Sequence, residues 1–382
     1  MPAEQPIYLD YNATTPVAPA VLEAMLPYLA QHFGNPSSDH DYGQTTAAAV
    51  ARARRQVADL LGCAPDEIVF TGGGSESDNH ALLGRVWASG LTRPHLVTSA
   101  IEHPAVLTTC RFLERQGAEV TYLPVDGQGR VDPDSVRRAL RPGTVVVSVM
   151  HANNEVGTLQ PLAEIAAICR EAGVPLHSDA AQSVGKVPTR VDELGVDLLT
   201  IAGHKLYAPK GIGALYVRRG TPLEPLIHGA GHENGRRAGT ENVPYIVALG
   251  AAAELASQSL AAEGERQRAL RERLHQLLSE RNDVSLNGHP HERLPNTLSL
   301  RFAGLDGNQL LAATPEVAAS TGSACHAGLS EPSPVLLALG VPPGEAIGTL
   351  RLSLGRPTTA GEVERAAAAL TRAARGMLAG AR

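Results

Sequence analysis

At 382 residues the chain is about twice the usual span of one domain, so two structural units are expected, and its 43% hydrophobic content suffices for a sizeable core. A formal net charge of −6 argues against a chain that wraps nucleic acid by bulk charge, and no direct nucleic-acid partner is expected. No apolar run approaches the ~18 residues of a membrane helix, and Met1 to Pro6 lacks the basic-then-apolar layout of a secretory signal, so no membrane partner is expected either.

In chain order, strand-like Ile68-Val69-Phe70 runs into the glycine-rich Thr71-Gly72-Gly73-Gly74-Ser75-Glu76-Ser77. Such a turn opening a helix presents free N–H groups and the positive end of the helix dipole, a seat for phosphate. Ser75 either caps that helix or offers its hydroxyl to a phosphate oxygen. Taken alone, the segment reads first as an ordinary strand-to-helix turn. A strand over His95–Ser99 follows, then Glu102-His103-Pro104, where an imidazole could stack on an aromatic ring and shuttle protons. A helical pattern at Ala105–Gln116 stops at Gly117, and a strand over Val120–Val125 precedes a helix at Ser135–Leu140. The strand Val145–Met150 leads to Asn153-Asn154-Glu155, which offers an amide to a phenolic oxygen.

After a helix at Leu162–Ala172, stopped by Gly173, the strand Pro175–His177 leads into Ser178-Asp179-Ala180-Ala181-Gln182. A carboxylate at a strand end can keep a pyridinium nitrogen protonated and make its ring an electron sink; an aspartate capping the next helix reads equally well. The strand Leu198–Ile201 ends in Ala202-Gly203-His204-Lys205. Most lysines are solvated surface groups, but one past a strand end beside glycine and histidine suits a Schiff-base nucleophile of lowered pKa. A further strand covers Ile212–Val217. This alternation predicts an α/β fold, a mostly parallel sheet covered by helices on both faces.

From about Ala248 to Arg281 an Ala/Glu/Arg/Leu-rich stretch predicts one extended helix joining two units. Strand-like Thr297–Phe302 and Leu350–Leu354 and a last helix over Glu362–Leu378 read as a smaller α+β domain, with a turn at Val341-Pro342-Pro343-Gly344. The four cysteines, Cys63, Cys110, Cys169 and Cys325, show neither close pairs nor metal-ligand spacing. A reducing, cytoplasmic setting is expected, with one thiol free to be chemical.

Together these residues resemble the cysteine desulfurases of the NifS/IscS type, within the class V (fold-type I) aminotransferase superfamily. The resemblance runs from Tyr8-Leu9-Asp10-Tyr11-Asn12-Ala13-Thr14-Thr15-Pro16 through Phe33-Gly34-Asn35-Pro36-Ser37-Ser38, Gly231-His232-Glu233 and Gly239-Thr240-Glu241-Asn242 to Leu352-Ser353-Leu354-Gly355-Arg356. It implies a large domain over residues 16–260 that binds pyridoxal 5'-phosphate, and a small domain formed by 1–15 and 261–382. Lys205 would carry the cofactor, Asp179 would pair with the pyridine nitrogen, Gln182 and Asn154 would lie on the phenolic-oxygen side, and His103 would cover the ring. Gly74, Ser75, Ala202 and His204 would surround the phosphate, with Thr240 reaching it from the other subunit of a homodimer. The family often has a serine at Ala202, so one phosphate contact is missing, on the order of 1 kcal/mol. Arg351, aided by Asn35 and Asn154, would grip the carboxylate of L-cysteine.

The loop Ser320-Thr321-Gly322-Ser323-Ala324-Cys325-His326-Ala327-Gly328 matches the family's sulfur-carrying loop, its small residues suiting a mobile carrier. The resemblance implies that Lys205 or His103 moves the α-proton. Cys325 then takes the sulfur as a persulfide, alanine leaves, and the sulfur passes to an acceptor protein. That acceptor could serve iron–sulfur assembly, tRNA or cofactor thiolation, or DNA sulfur modification. Ala324-Cys325-His326 with Pro332-Ser333-Pro334 also resembles selenocysteine lyases, a second reading. A pyridoxal-phosphate transaminase or lyase in which Cys325 is incidental, and a sulfur-relay scaffold with little turnover, are the remaining alternatives.

Overall fold

The computed structural model describes residues 5–281, 283–321 and 331–380. After a short strand β1 (Ile7–Tyr8) come helices α1 (Pro19–Ala30) and α2 (Asp41–Leu61). An alternating series follows: β2 (Ile68–Thr71), α3 (Gly74–Ala88), β3 (His95–Ser99), α4 (Pro104–Arg115), β4 (Glu119–Leu123), α5 (Pro133–Ala139), β5 (Thr144–Ser148), α6 (Leu162–Glu171), β6 (Leu176–Asp179), α7 (Val191–Leu194), β7 (Leu198–Ala202) and β8 (Gly213–Val217). These strands form one seven-stranded sheet in the order β2-β8-β7-β6-β5-β3-β4. Every pairing from β7 across to β4 is parallel, whereas β8 runs antiparallel to both of its neighbours. Strands β3, β7 and β8 are buried along their whole length, which is why they read as largely apolar or β-branched runs rather than alternating ones, whereas β6 is equally buried but polar after Leu176.

Helix α8 (Val243–Ser279) begins five residues earlier than its composition suggested, because the Asn242 side chain caps it by accepting from the Tyr245 N–H. By length and composition alone it could cross a membrane, a test that a core helix also passes, and 44% of its most apolar stretch is buried inside the fold. Its first half, through Ala256, belongs to the core beneath the large sheet with Val57, Leu61 and Phe70. Leu274 and Leu278 near its end belong to a second core with Leu9, Leu298, Phe302 and Leu352. That second core lies under an antiparallel sheet of β9 (Val284–Leu286), β10 (Thr297–Phe302) and β12 (Thr349–Ser353), closed by α12 (Ala360–Gly380). Between them lie α9 (Gly307–Ala312), β11 (Val317–Ala318), α10 (Pro334–Ala338) and α11 (Pro343–Ala346). The expected turn at Val341–Gly344 is the start of α11, with Pro342 at the N-cap and Pro343 at the first helical position, where no N–H is needed.

Candidate active site

The C-terminal ends of β2, β3, β5, β6 and β7 share one edge of the sheet, and the chemistry-bearing residues follow those ends. At the β2–α3 junction the N-cap is Gly73, at φ +146°, with no side chain capping the helix. Ser75 therefore does not cap α3; it lies inside the first turn and is exposed. A Cβ on Gly73 would meet nothing within 4 Å, whereas one on Gly74 would sit 3.2 Å from the Ala202 Cβ. The helix end thus packs closely on β7 and leaves free N–H groups facing open space, as an anion requires. His204 on the neighbouring loop is held through Nδ1 at 3.2 Å from Thr14 Oγ1.

Deeper in the cleft, His103 caps α4: its Nδ1 accepts from the Ala105 N–H at 3.1 Å, which leaves Nε2 to carry the proton. Its imidazole stays open to the cleft. Burial pushes its pKa down, against the pull of Asp179 and with the repulsion of Lys205. Asp179 ends β6, and its Oδ1 accepts from the Ala181 N–H at 2.8 Å. The capping alternative is met in part, by a turn rather than a helix. One polar side-chain atom each of Asp78, His103 and Asp179 lies within 4.8 Å of the other two.

Lys205 Nζ donates to the carbonyls of Asn12 (2.5 Å) and Ala13 (2.7 Å). Burial first, then Arg351, push its pKa down to about 8, with Asp10 and Asp179 opposing. Gln182 Nε2 donates to the same Asn12 carbonyl at 2.9 Å, and Gln182 Oε1 accepts from Lys186 Nζ at 3.1 Å. Burial pushes that second lysine down to about 7.

Arg351, buried on β12, donates to Asp10 Oδ1 (2.7 Å) and to the Asn154 carbonyl (3.2 Å), while its Nε is buried without a partner. The two asparagines after β5 divide their work. Asn153 is wholly buried and folds the loop by accepting from the Glu155 and Val156 N–H groups, whereas Asn154 is half-buried beside Arg351. Glu155, pushed up by burial, accepts from the Ser333 hydroxyl.

Asn35 and Thr240 are exposed, and among the described residues no hydrogen bond joins either to this cluster; Asn35 Oδ1 accepts from the Ser37 N–H. Cys325 lies outside the described residues. The other three cysteines are free thiols, with Cys110 and Cys169 buried and pushed up to about 12 by burial. Sequence reading assigned no role to Asp10, Asp78, Lys186 or Glu155. Only Asp10 and Glu155 stood in quoted strings, and none of the four carries a local pattern that marks it.

The donor set fits pyridoxal phosphate. An amine of lowered pKa, a carboxylate at the end of β6, an uncapped helix N-terminus and two buried polar atoms without partners, Asp78 Oδ1 and Arg351 Nε, converge on the same edge.

Comparison with known proteins follows the same line. The aminotransferase class-V family matches residues 7–366. The chain is 49% identical to the cysteine desulfurase IscS of Dictyoglomus turgidum over 356 residues, 92% of this chain and 90% of that protein. A solved NifS-like protein superposes with a TM-score of 0.90 at 35% identity, covering 98% of this chain and 99% of the other. A structure described as SspA in complex with cysteine has a TM-score of 0.82 at 41% identity, covering 91% and 98%.

Proposed function

The chain belongs to the class-V aminotransferase family, and from that membership we infer that it is a pyridoxal-phosphate-dependent cysteine desulfurase, converting L-cysteine to L-alanine. The observation that carries the reading is the meeting of one lowered-pKa amine, Lys205, with Asp179, His103 and Arg351 from four separate elements.

Lys205 would hold the cofactor, with Asp179 serving its ring nitrogen, His103 its ring face and Gln182 its phenolic oxygen. The α3 N-terminus at Gly74 and Ser75, with His204, would take the phosphate. The bound ring stores the electron pair released at the substrate α-carbon. Arg351 grips the substrate carboxylate through its guanidinium fork, with Asn35 and Asn154 alongside. Lys205, rather than His103, takes the α-proton: with Nδ1 committed to the Ala105 N–H, the imidazole offers an Nε2–H donor and no free basic nitrogen. The Cys325 thiolate attacks the substrate sulfur, forming an S–S bond as the Cβ–S bond breaks. The carbon fragment keeps that electron pair, gains a proton and leaves as alanine, so cysteine plus thiol becomes alanine plus persulfide.

The persulfide sulfur passes to an acceptor protein in the cytoplasm, with iron–sulfur cluster assembly as its outlet; similarity to IscS proteins supports this. The enzyme acts as a homodimer in which Thr240 reaches the partner's phosphate site. Two features support the dimer: Thr240 is exposed, and α1 leaves Leu22, Leu26 and Leu29 open to solvent on one stripe that continues to Phe33, itself 71% exposed.

Mass spectrometry after a single turnover with cysteine tests the reading. It should find about 32 Da added to the Cys325 peptide, one sulfur atom, and none in Cys325→Ala or Lys205→Ala. Undiminished sulfur delivery by Cys325→Ala would overturn it.

A further inference from the structure

Asp78 lies in the second turn of α3, only 1% exposed, behind the site and outside the roles assigned above. Its Oδ1 has no hydrogen-bond partner. The nearest ring nitrogen is His177 Nε2 at 3.6 Å, a spacing that at first suggests an ion pair. That pair does not form, because both His177 nitrogens are already taken by hydroxyls, Nδ1 by Ser148 at 2.8 Å and Nε2 by Thr200 at 3.1 Å. Burial pushes His177 down to about 3, so it is neutral. Asp78 therefore has no cation behind it, while in front it faces Asp179 and His103 within 4.8 Å.

Two carboxylates this close in a buried site do not both ionise near neutral pH. The contest is uneven. Burial pushes Asp179 up as well, but it accepts a backbone N–H at 2.8 Å and has the Lys205 ammonium on its open side, both of which favour its charged form. Asp78 has only the Thr200 hydroxyl, and burial and Asp179 push it well up. Glu102, the third acid in this pocket, is pushed up to about 8 by burial, and its Oε2 is also without a partner.

We propose that Asp78 is a positioning residue that stays protonated beneath the cofactor ring, so that the cluster's single negative charge rests on Asp179. A protonated neighbour gives Asp179 a neutral, hydrogen-bond-capable backing where a carboxylate would repel it. The ring-nitrogen partner is thereby held charged and aimed into the cleft. This rests on the cofactor assignment above.

The test uses the full enzyme with Asp78→Asn, which mimics the neutral acid, and Asp78→Ala, which removes it. Cofactor affinity and the pH titration of the bound cofactor's visible absorbance are measured beside the infrared carboxyl band. Asp78→Asn should match the parent within about twofold in affinity with the same absorbance titration. Asp78→Ala should bind the cofactor on the order of tenfold more weakly, as for one lost buried hydrogen bond, with a shifted titration. The parent at neutral pH should show a protonated-carboxyl stretch that disappears in Asp78→Asn. Asp78→Asn behaving like Asp78→Ala would overturn the proposal, showing that Asp78 acts as an anion; so would a parent-like Asp78→Ala. The infrared comparison needs no cofactor: a missing band refutes protonation of Asp78 even if the alanine variant does not fold. Failure of the parent to bind pyridoxal phosphate at all would instead refute the assigned function.

Discussion

Replacing Asp10 by asparagine should move the pH dependence of cofactor capture to lower pH. Only the neutral amine of Lys205 can attack the cofactor aldehyde, and the fold brings that amine down to about 8. At pH 7 about one Lys205 in eleven is then neutral, against about one in 3,000 for an ordinary lysine. The capture rate should therefore climb tenfold per pH unit below about pH 8 and level off above it. Asp10 opposes the lowering in two ways: its charge favours protonated Lys205, and it ties up Arg351 at 2.7 Å. Asparagine removes the first effect and leaves the Arg351 charge uncompensated, so both changes favour the neutral amine. Stopped-flow mixing of cofactor-free protein with pyridoxal phosphate across roughly pH 6 to 10, read by the growth of visible absorbance, measures this directly. Arg351→Met should shift the same arm upward. A rate that still climbs at pH 10, or an Asp10→Asn arm displaced to higher pH, would refute the reasoning.

Glu102 is held protonated in the fold, with Oε1 accepting from the Ser99 hydroxyl and the Met150 N–H. Because its pKa is raised to about 8, the folded state keeps a proton that the unfolded state loses above about 4.5. Its contribution is thus fully present below about pH 4.5 and is lost at up to about 1.4 kcal/mol per unit as pH rises to about 8. Glu102→Gln should flatten that decline in urea-unfolding midpoints. Glu233→Ala removes the carboxylate whose two oxygens pair at 2.7 Å with the half-buried Arg54, which keeps the Ile68 carbonyl as an acceptor, at a cost of about 2–3 kcal/mol. Relief of the left-handed backbone at Glu233 (φ +51°) is not part of this, since alanine inherits it, and the Arg54→Ala/Glu233→Ala double variant should cost less than the sum of the single changes in urea unfolding. Ser333→Ala removes both the cap of α10 and the hydroxyl that Glu155 accepts from, and should lower stability by about 1–2 kcal/mol in the same assay.

The strands and the polar side chains gathered at their ends could be read from the chain because their causes are local. Buried strands favour apolar and β-branched residues, so the expected strands His95–Ser99 and Thr297–Phe302 match β3 and β10 to the residue. Lys205, Asp179 and His103 stand next to strand ends, where α/β sheets gather ligands. Helix starts were less visible: Asn242 caps α8 through its side chain and Pro343 opens α11, local geometry that composition does not display. The partners that tune the site were hidden altogether. Asp10 meets Arg351 across 341 residues, and Lys205 reaches the Asn12 carbonyl across 193. Asp78 looks like any polar residue of a helix until packing buries it against Asp179. Which groups ionise depends on burial and on distances of a few ångströms, quantities that exist only once distant segments have been folded together.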